Sequence, residues 1–172
     1  NISAAGTQVG MTEADILGVA AALSSLGLES HAGGTAISRA IVQMASACET
    51  GSAELAYFAK AAGMSTSEFQ KYFAEDATGA LTTFITGLGN LEDESALQFL
   101  DEMGISEIRL RDALLRASNA NELFTSAIKS SNQAWNENSA LTEEAQKRYE
   151  TTESKVKILK NTFAEMGLTV YD

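Results

Sequence analysis

The sequence predicts an all-α protein, in which a compact multi-helix domain is followed by a long C-terminal helix with coiled-coil-like heptads. Three observations point this way. The 172 residues include no proline, so no position lacks the amide proton that a helix needs. Strong helix formers such as Ala, Leu, Glu and Lys are common, and β-branched runs are scarce. Apolar residues recur at helical spacing between glycines, and no segment alternates as a strand does.

The N-terminal part of the chain is expected to hold two helices. Residues 1–10 are small and polar, and they predict a lead-in without regular structure. Thr12 is placed to cap the first helix, with acidic residues in the first turn where the helix dipole favours them. Residues 28–34 are rich in glycine and predict a loop before a second helix at 35–49. One face of that helix carries Ile37, Ile41, Met44 and Cys48.

The later helices are predicted from the same kinds of signal. Ser65 and Glu68 have the S-x-x-E spacing of a capping box. Ser106 and Asn119 are expected to cap two further helices, and the acidic run at 92–94 fits the start of another. Glycines are expected to end helices, at or near Gly27, Gly51, Gly63, Gly89 and Gly104.

The C-terminal segment has a different pattern. From residue 145 onward, its apolar side steps alternately by four and three residues, which is the a/d spacing of a coiled coil. The positions are Tyr149, Thr152, Val156, Leu159, Phe163 and Met166. Such a narrow seam needs a partner helix, so it predicts packing on residues 123–135 or self-association with another copy. The expected domains are 11–137, the multi-helix domain, and 138–172, the long helix.

Charge and cysteine content exclude several classes of function. The net charge is −11, and residues 1–107 hold fourteen acidic side chains against three basic ones. A surface of this sign disfavours nucleic acid and anionic membrane as partners of this segment. Its apolar stretch at 16–23 is too short to span a bilayer. The single cysteine allows neither an intramolecular disulfide nor a cysteine-rich metal site.

Four features of the sequence are candidate sites of chemistry, and each has a plainer interpretation. His31 is the only histidine, and a solvated loop residue is favoured over a base or metal ligand. Cys48, a candidate nucleophile with His31 as its base, is better explained as a small core residue. Residues 33–35, Gly-Gly-Thr, lack the frame of a phosphate-binding loop and favour a tight loop into a helix. The acidic run at 92–94 and the acidic pair at 101–102 lack the spacing of a calcium-binding loop.

One catalytic alternative involves Glu29. An acid in a Glu-Ser pair after a helix is a feature of helical lysozyme-like transglycosylases. The Gly-Leu-Met-Gln-type segment and the aromatic sugar-binding residues expected with it are missing from this sequence. The sequence therefore predicts no catalytic residue, no metal and no cofactor, and the chain is expected not to be an enzyme.

Six stretches, taken in order and with their spacing, resemble the core region of phage tail tape measure proteins. The likeness runs from about residue 11 to residue 163. The stretches are MTEADILGVAAALSSLG at 11–27, HAGGTAISR at 31–39, FAKAAGMSTSEF at 58–69, GALTTFITGL at 79–88, MGISEIRLRDALL at 103–115 and NSALTEEAQKRY at 138–149.

The resemblance implies a structural role in a phage or prophage. Members of this family are long, mostly helical proteins that occupy the tail tube and set tail length during assembly. The implied partners are tail tube, tail tip and assembly chaperone proteins, in the host bacterial cytoplasm and later in the virion tail interior. Because the chain begins Asn-Ile, we expect a fragment of a longer protein. Two alternatives stay open: a helical interaction module of a secretion or injection machine, and a helical peptidoglycan hydrolase.

Overall fold

Every regular element that the structure describes is a helix. The computed structural model describes residues 2–28, 30–91 and 95–138, with side chains except at 30–32. No strand occurs in these ranges, and the all-α prediction is confirmed for them. Their helices are α1 Ile2–Gln8, α2 Glu13–Ser25, α3 Ser30–Thr50, α4 Glu54–Ala61, α5 Thr66–Glu75, α6 Ala77–Gly89, α7 Ala96–Glu102, α8 Ile108–Asn119 and α9, which is helical over 121–138, up to the end of the last described range.

The chain divides into two units, Asn1–Asn132 and Gln133–Asp172. Of the second unit the structure describes only residues 133–138, which are helical, and Gln133 Nε2 there donates a 2.8 Å hydrogen bond to Glu137 Oε1. The expected boundary between 137 and 138 stays a prediction. The residues of the heptad seam lie outside the described part of the chain, and these are Tyr149, Thr152, Val156, Leu159, Phe163 and Met166.

Capping boxes start α2 and α5, as the sequence predicts. In α2 the amide of Asp15 donates to Thr12 Oγ1 at 3.1 Å, and the Thr12 amide donates back to Asp15 Oδ2 at 3.0 Å. In α5 the Ser65 amide donates to Glu68 Oε2 at 2.8 Å, and the Glu68 amide donates to Ser65 Oγ at 3.3 Å. Each box satisfies two amides that a helix start would otherwise leave without a partner.

The caps predicted at Ser106 and Asn119 are wrong. Asn119 is the last residue of α8, and the N-cap of α8 is Glu107, whose side chain makes no capping hydrogen bond. Its carboxylate instead forms an ion pair with Arg39 of α3. The side chain at the start of α8 is therefore engaged by a distant helix, and a local sequence pattern does not reveal such a contact. The acidic run at 92–94 lies outside the described residues, and Ser95 caps α7.

Two segments expected to lack structure are helical. Residues 2–8 form α1, whose Ala5 and Gly6 are buried and which packs against α2 and α3. The expected loop at 28–34 is also wrong, because α3 begins at Ser30. Glycine at 33 serves close packing there, since a Cβ at this position would lie 3.1 Å from the Cβ of Leu28. Tertiary packing thus outweighs weak local propensity in both segments.

The predicted helix ends are confirmed. Gly27, Gly51, Gly63 and Gly104 each follow a helix with φ between 65° and 74°, a backbone conformation that side chains with a Cβ rarely adopt. Gly89 is the final residue of α6, and Asn90 is its C-cap. Gly87 lies inside α6 and does not end it.

Helix α6 forms the centre of the first unit's core. It packs against α4, α5 and α8, and its side chains Leu81, Phe84 and Ile85 are fully buried. The ring of Phe84 meets that of Phe58 edge-on, with centroids 5.1 Å apart. Each such side chain contributes about 1.5–3 kcal/mol by leaving water. Among the described residues, the buried apolar side chains form a contiguous core from Ala5 to Ile128.

Candidate functional site

The described residues that the sequence singled out for chemistry are not brought together. Cys48 is half-buried and packs against the core, and burial raises the pKa of its thiol. A raised pKa leaves less of the reactive thiolate, which agrees with the interpretation of Cys48 as a packing residue. Glu29 and the side chain of His31 lie outside what the structure describes.

The two remaining sequence candidates are structural where they are described. Residues 33–35 lie inside α3, so neither a phosphate-binding loop nor a tight loop before a helix is present there. Asp101, at the end of α7, accepts a 2.9 Å hydrogen bond from the guanidinium of Arg111 on α8. Within the described ranges, no three His, Cys, Asp or Glu side chains lie together in a way that could hold a metal ion.

One concave feature of the first unit is a groove that follows α3. It consists of two adjoining cavities of about 580 and 390 Å³, which share Gln43, Gly104 and Ile105. Helix α1 and the segment from Gly104 to Glu107 border the larger cavity, and Ser52 and Glu54 border the smaller one. We call this feature the α3 groove.

Polar groups at the rim of the α3 groove are held in defined positions. The Arg39–Glu107 ion pair joins α3 to the start of α8 across the larger cavity. Buried Ser38 donates a 2.6 Å hydrogen bond to the carbonyl of Gly34. A hydrogen bond from Ser52 lowers the pKa of Glu54, so this carboxylate stays ionised at neutral pH. The groove thus has an ordered, charged rim around a partly apolar surface.

A second cleft lies between α6 and residues 121–132 of α9. Its two cavities, of about 330 and 420 Å³, share Thr82, Thr83 and Thr125. At one end Asn132 Nδ2 donates a 2.8 Å hydrogen bond to Asp15 Oδ1. The residues that the two cavities share are uncharged hydroxyls, whereas Asp15, Asp76 and Lys129 line the first cavity.

Sequence reasoning did not find the α3 groove. The sequence pattern predicted the apolar face of α3. A second periodic set of small and polar residues runs along the same helix. That pattern is a signal of a second surface, but it does not say whether the surface is covered. The cover depends on α1 and on residues 104–107, which are distant in sequence.

Comparison with known proteins gives no relative: no family model, no curated protein and no solved structure matches this chain. Among the described residues, no helix has both the length and the apolar character required to cross a membrane.

Proposed function

We propose that this chain is a structural segment of a phage or prophage tail tape measure protein, and that its first unit acts there as a folded docking domain. Two things support the proposal. The ordered resemblance covers residues 11–163, and the helical fold is what that resemblance implies. In such a tail, the partners would be tube, tip or chaperone proteins, in the host cytoplasm during assembly and then in the tail interior.

The observation that carries the docking role is the way the helices fold back on one shared core. A protein segment that sets tail length by its own extent must lengthen in proportion to its residues, by about 1.5 Å for each residue of a continuous helix. The longest helix within the first unit is α3, with 21 residues, which span about 30 Å at that rise. Residues 11–137 as one helix would span about 190 Å. The folded unit therefore adds little length for its size.

The docking role and a role in setting tail length can be distinguished by a substitution that unfolds the domain without changing the number of residues. Leu81 is fully buried in α6, and an unpaired aspartate there would cost several kcal/mol. In the parent phage, Leu81→Asp should abolish or destabilise tails, because docking requires the fold. The control is Leu17→Asp, at a position that is 50% exposed, and it should leave tails normal.

Tail length under the electron microscope is the measurement. Normal tails with Leu81→Asp would overturn the docking role. Intact tails shortened by about 190 Å after deletion of residues 11–137 would show that the segment works as ruler. Heptad-sized deletions in the long helix downstream should, in contrast, shorten tails in proportion.

The two alternatives have their own tests. A tape measure gene is very long and lies beside tail tube and tail tip genes, whereas a module of a secretion machine would have secretion genes as neighbours. A hydrolase would clear peptidoglycan and lose that turnover in Glu29→Gln. We expect the purified protein to clear no peptidoglycan and to bind no zinc stoichiometrically, which zymography and metal analysis would measure.

A further inference from the structure

One complete face of α3 lines the α3 groove. The lining residues recur at helical spacing and include Thr35, Arg39, Val42, Gln43, Ser46 and Thr50. The opposite face of α3, with Ile37, Ile41 and Met44, is buried in the core. The groove face is therefore the surface that α3 leaves for something other than this unit's own core.

The dimensions of the groove suit a short helix. From Thr35 to Thr50 the face extends over sixteen residues of α3, which rise about 22 Å along the helix axis at 1.5 Å per residue. Small side chains alternate along it with longer ones, which is the surface into which the ridge of another helix packs. A partner helix of about four turns would match this length.

One exposed apolar side chain lines the groove, and a second follows a lining residue in the sequence. Val42, midway along the α3 face, is 50% exposed. Ile108 directly follows the lining residue Glu107 and is 83% exposed. Exposed apolar side chains beside a concave surface are typical of interaction sites. The partner should therefore present an apolar stripe toward α3.

The charges around the groove determine whether an acidic or a basic partner surface is favoured. Glu54 and Glu107 line the groove. Two further exposed glutamates, Glu49 and Glu102, are the sequence neighbours of lining residues Thr50 and Met103. Among the lining residues that the structure describes, Arg39 alone is basic, and it is paired with Glu107. Over residues 1–132 sixteen acidic side chains face seven basic ones, a net charge of −9. A partner with basic flanks is favoured at this surface.

From these observations we infer that the α3 groove binds a basic amphipathic helix of a partner protein, with its apolar stripe on Val42 and its lysine or arginine flanks near the surrounding glutamates. This inference names the docking surface of the function proposed above and rests on that docking role. Its test uses purified protein and a peptide rather than phage tails, so the two proposals can fail separately.

Binding can be measured with a fluorescein-labelled helical peptide of about fifteen residues that has leucines on one face and lysines on its flanks. The full chain should raise the anisotropy of this peptide. A peptide with glutamates in place of the lysines should bind at least about tenfold more weakly. Salt should weaken the binding of the lysine peptide, because the charges are exposed.

Two matched variants distinguish peptide binding in the groove from non-specific electrostatic attraction of the peptide to an acidic protein. Val42→Asp and Leu17→Asp each place one negative charge at a half-exposed apolar position of a helix. Val42→Asp should weaken binding at least about tenfold, although its charge alone would attract the peptide. Leu17→Asp should change binding less than about twofold.

Several outcomes would overturn the inference. They are absence of peptide binding, equal binding of the lysine and glutamate peptides, and unchanged binding by Val42→Asp. An equal loss in both variants would also overturn it. A fifth is a dimer of the chain alone that Val42→Asp dissociates, as seen by light scattering, because the groove would then be occupied by a second copy.

Discussion

Close contact between α4 and α6 at Gly87 makes this residue the sharpest test of the core. A Cβ added at Gly87 would stand 2.6 Å from the carbonyl carbon of Ala61, the last residue of α4, and closer still to its oxygen. Nonbonded carbon atoms pack at about 3.5–4.0 Å. Because the obstacle is backbone and not a flexible side chain, Gly87→Ala requires α4 and α6 to separate by roughly 1 Å.

The expected magnitude follows from two opposing effects. Overpacking in a well-packed core costs about 1–3 kcal/mol. Replacing glycine by alanine inside a helix returns about 0.5–1 kcal/mol where space is available. Gly34, inside α3, supplies that second value directly, since a Cβ there would meet no atom of the described residues within 4 Å. The gain from replacing glycine inside a helix is common to both variants and cancels, so Gly87→Ala should be less stable than Gly34→Ala by the overpacking cost of about 1–3 kcal/mol.

Urea unfolding of both variants, followed by far-ultraviolet circular dichroism, measures this difference. The two changes are chemically identical, so any effect on the unfolded chain largely cancels. Gly34→Ala should unfold at slightly higher urea than the original protein, and Gly87→Ala at clearly lower urea. If Gly87→Ala were as stable as Gly34→Ala, the close approach of α4 and α6 would be wrong.

Two further predictions concern a cap and a carboxylate. Ser65→Ala should lower the free energy of unfolding by about 1 kcal/mol because α5 loses its capping box. Ser24→Ala, at an exposed site inside α2, is the control and should be close to neutral. The midpoints of urea unfolding measure both effects. Burial raises the pKa of Asp15, but hydrogen bonds from Thr12 and Asn132 outweigh burial, and the pKa lies below its ordinary value of 3.8. Stability from this carboxylate is therefore present above pH 3.8 and lost as the pH falls through the lower, folded-state pKa. Asn132→Ala should make unfolding free energy depend less on pH in this acid range, and an unchanged pH dependence would contradict the role of that hydrogen bond.

Signals within one turn of a helix were enough to predict much of the fold. The caps at Thr12 and Ser65 depend on atoms three residues apart, and the glycine ends depend on a single backbone position. Helix α1 and the first turn of α3 were missed because their stability comes from packing on other helices. The cap at Ser106 failed for the same reason, since Arg39 draws Glu107 into a distant ion pair.

The α3 groove shows a different limit of sequence reasoning. The periodic polar face of α3 is visible in the sequence, but its borders come from α1, α4 and residues 104–107. No local pattern tells which distant segments leave a face open and which cover it. Charge was more informative, because the excess of acidic residues, readable directly from the sequence, already disfavoured acidic partners.

The central position of α6 has a consequence for the response of the first unit to mechanical force. This helix contains three glycines and four threonines among its 13 residues, so it has little tendency to persist alone. It is held by α4, α5 and α8, and removal of any of these would expose its apolar surface to water. A pull on the two ends should therefore release the unit in one cooperative rupture and not in a graded extension. Optical tweezers would record that rupture as a single step.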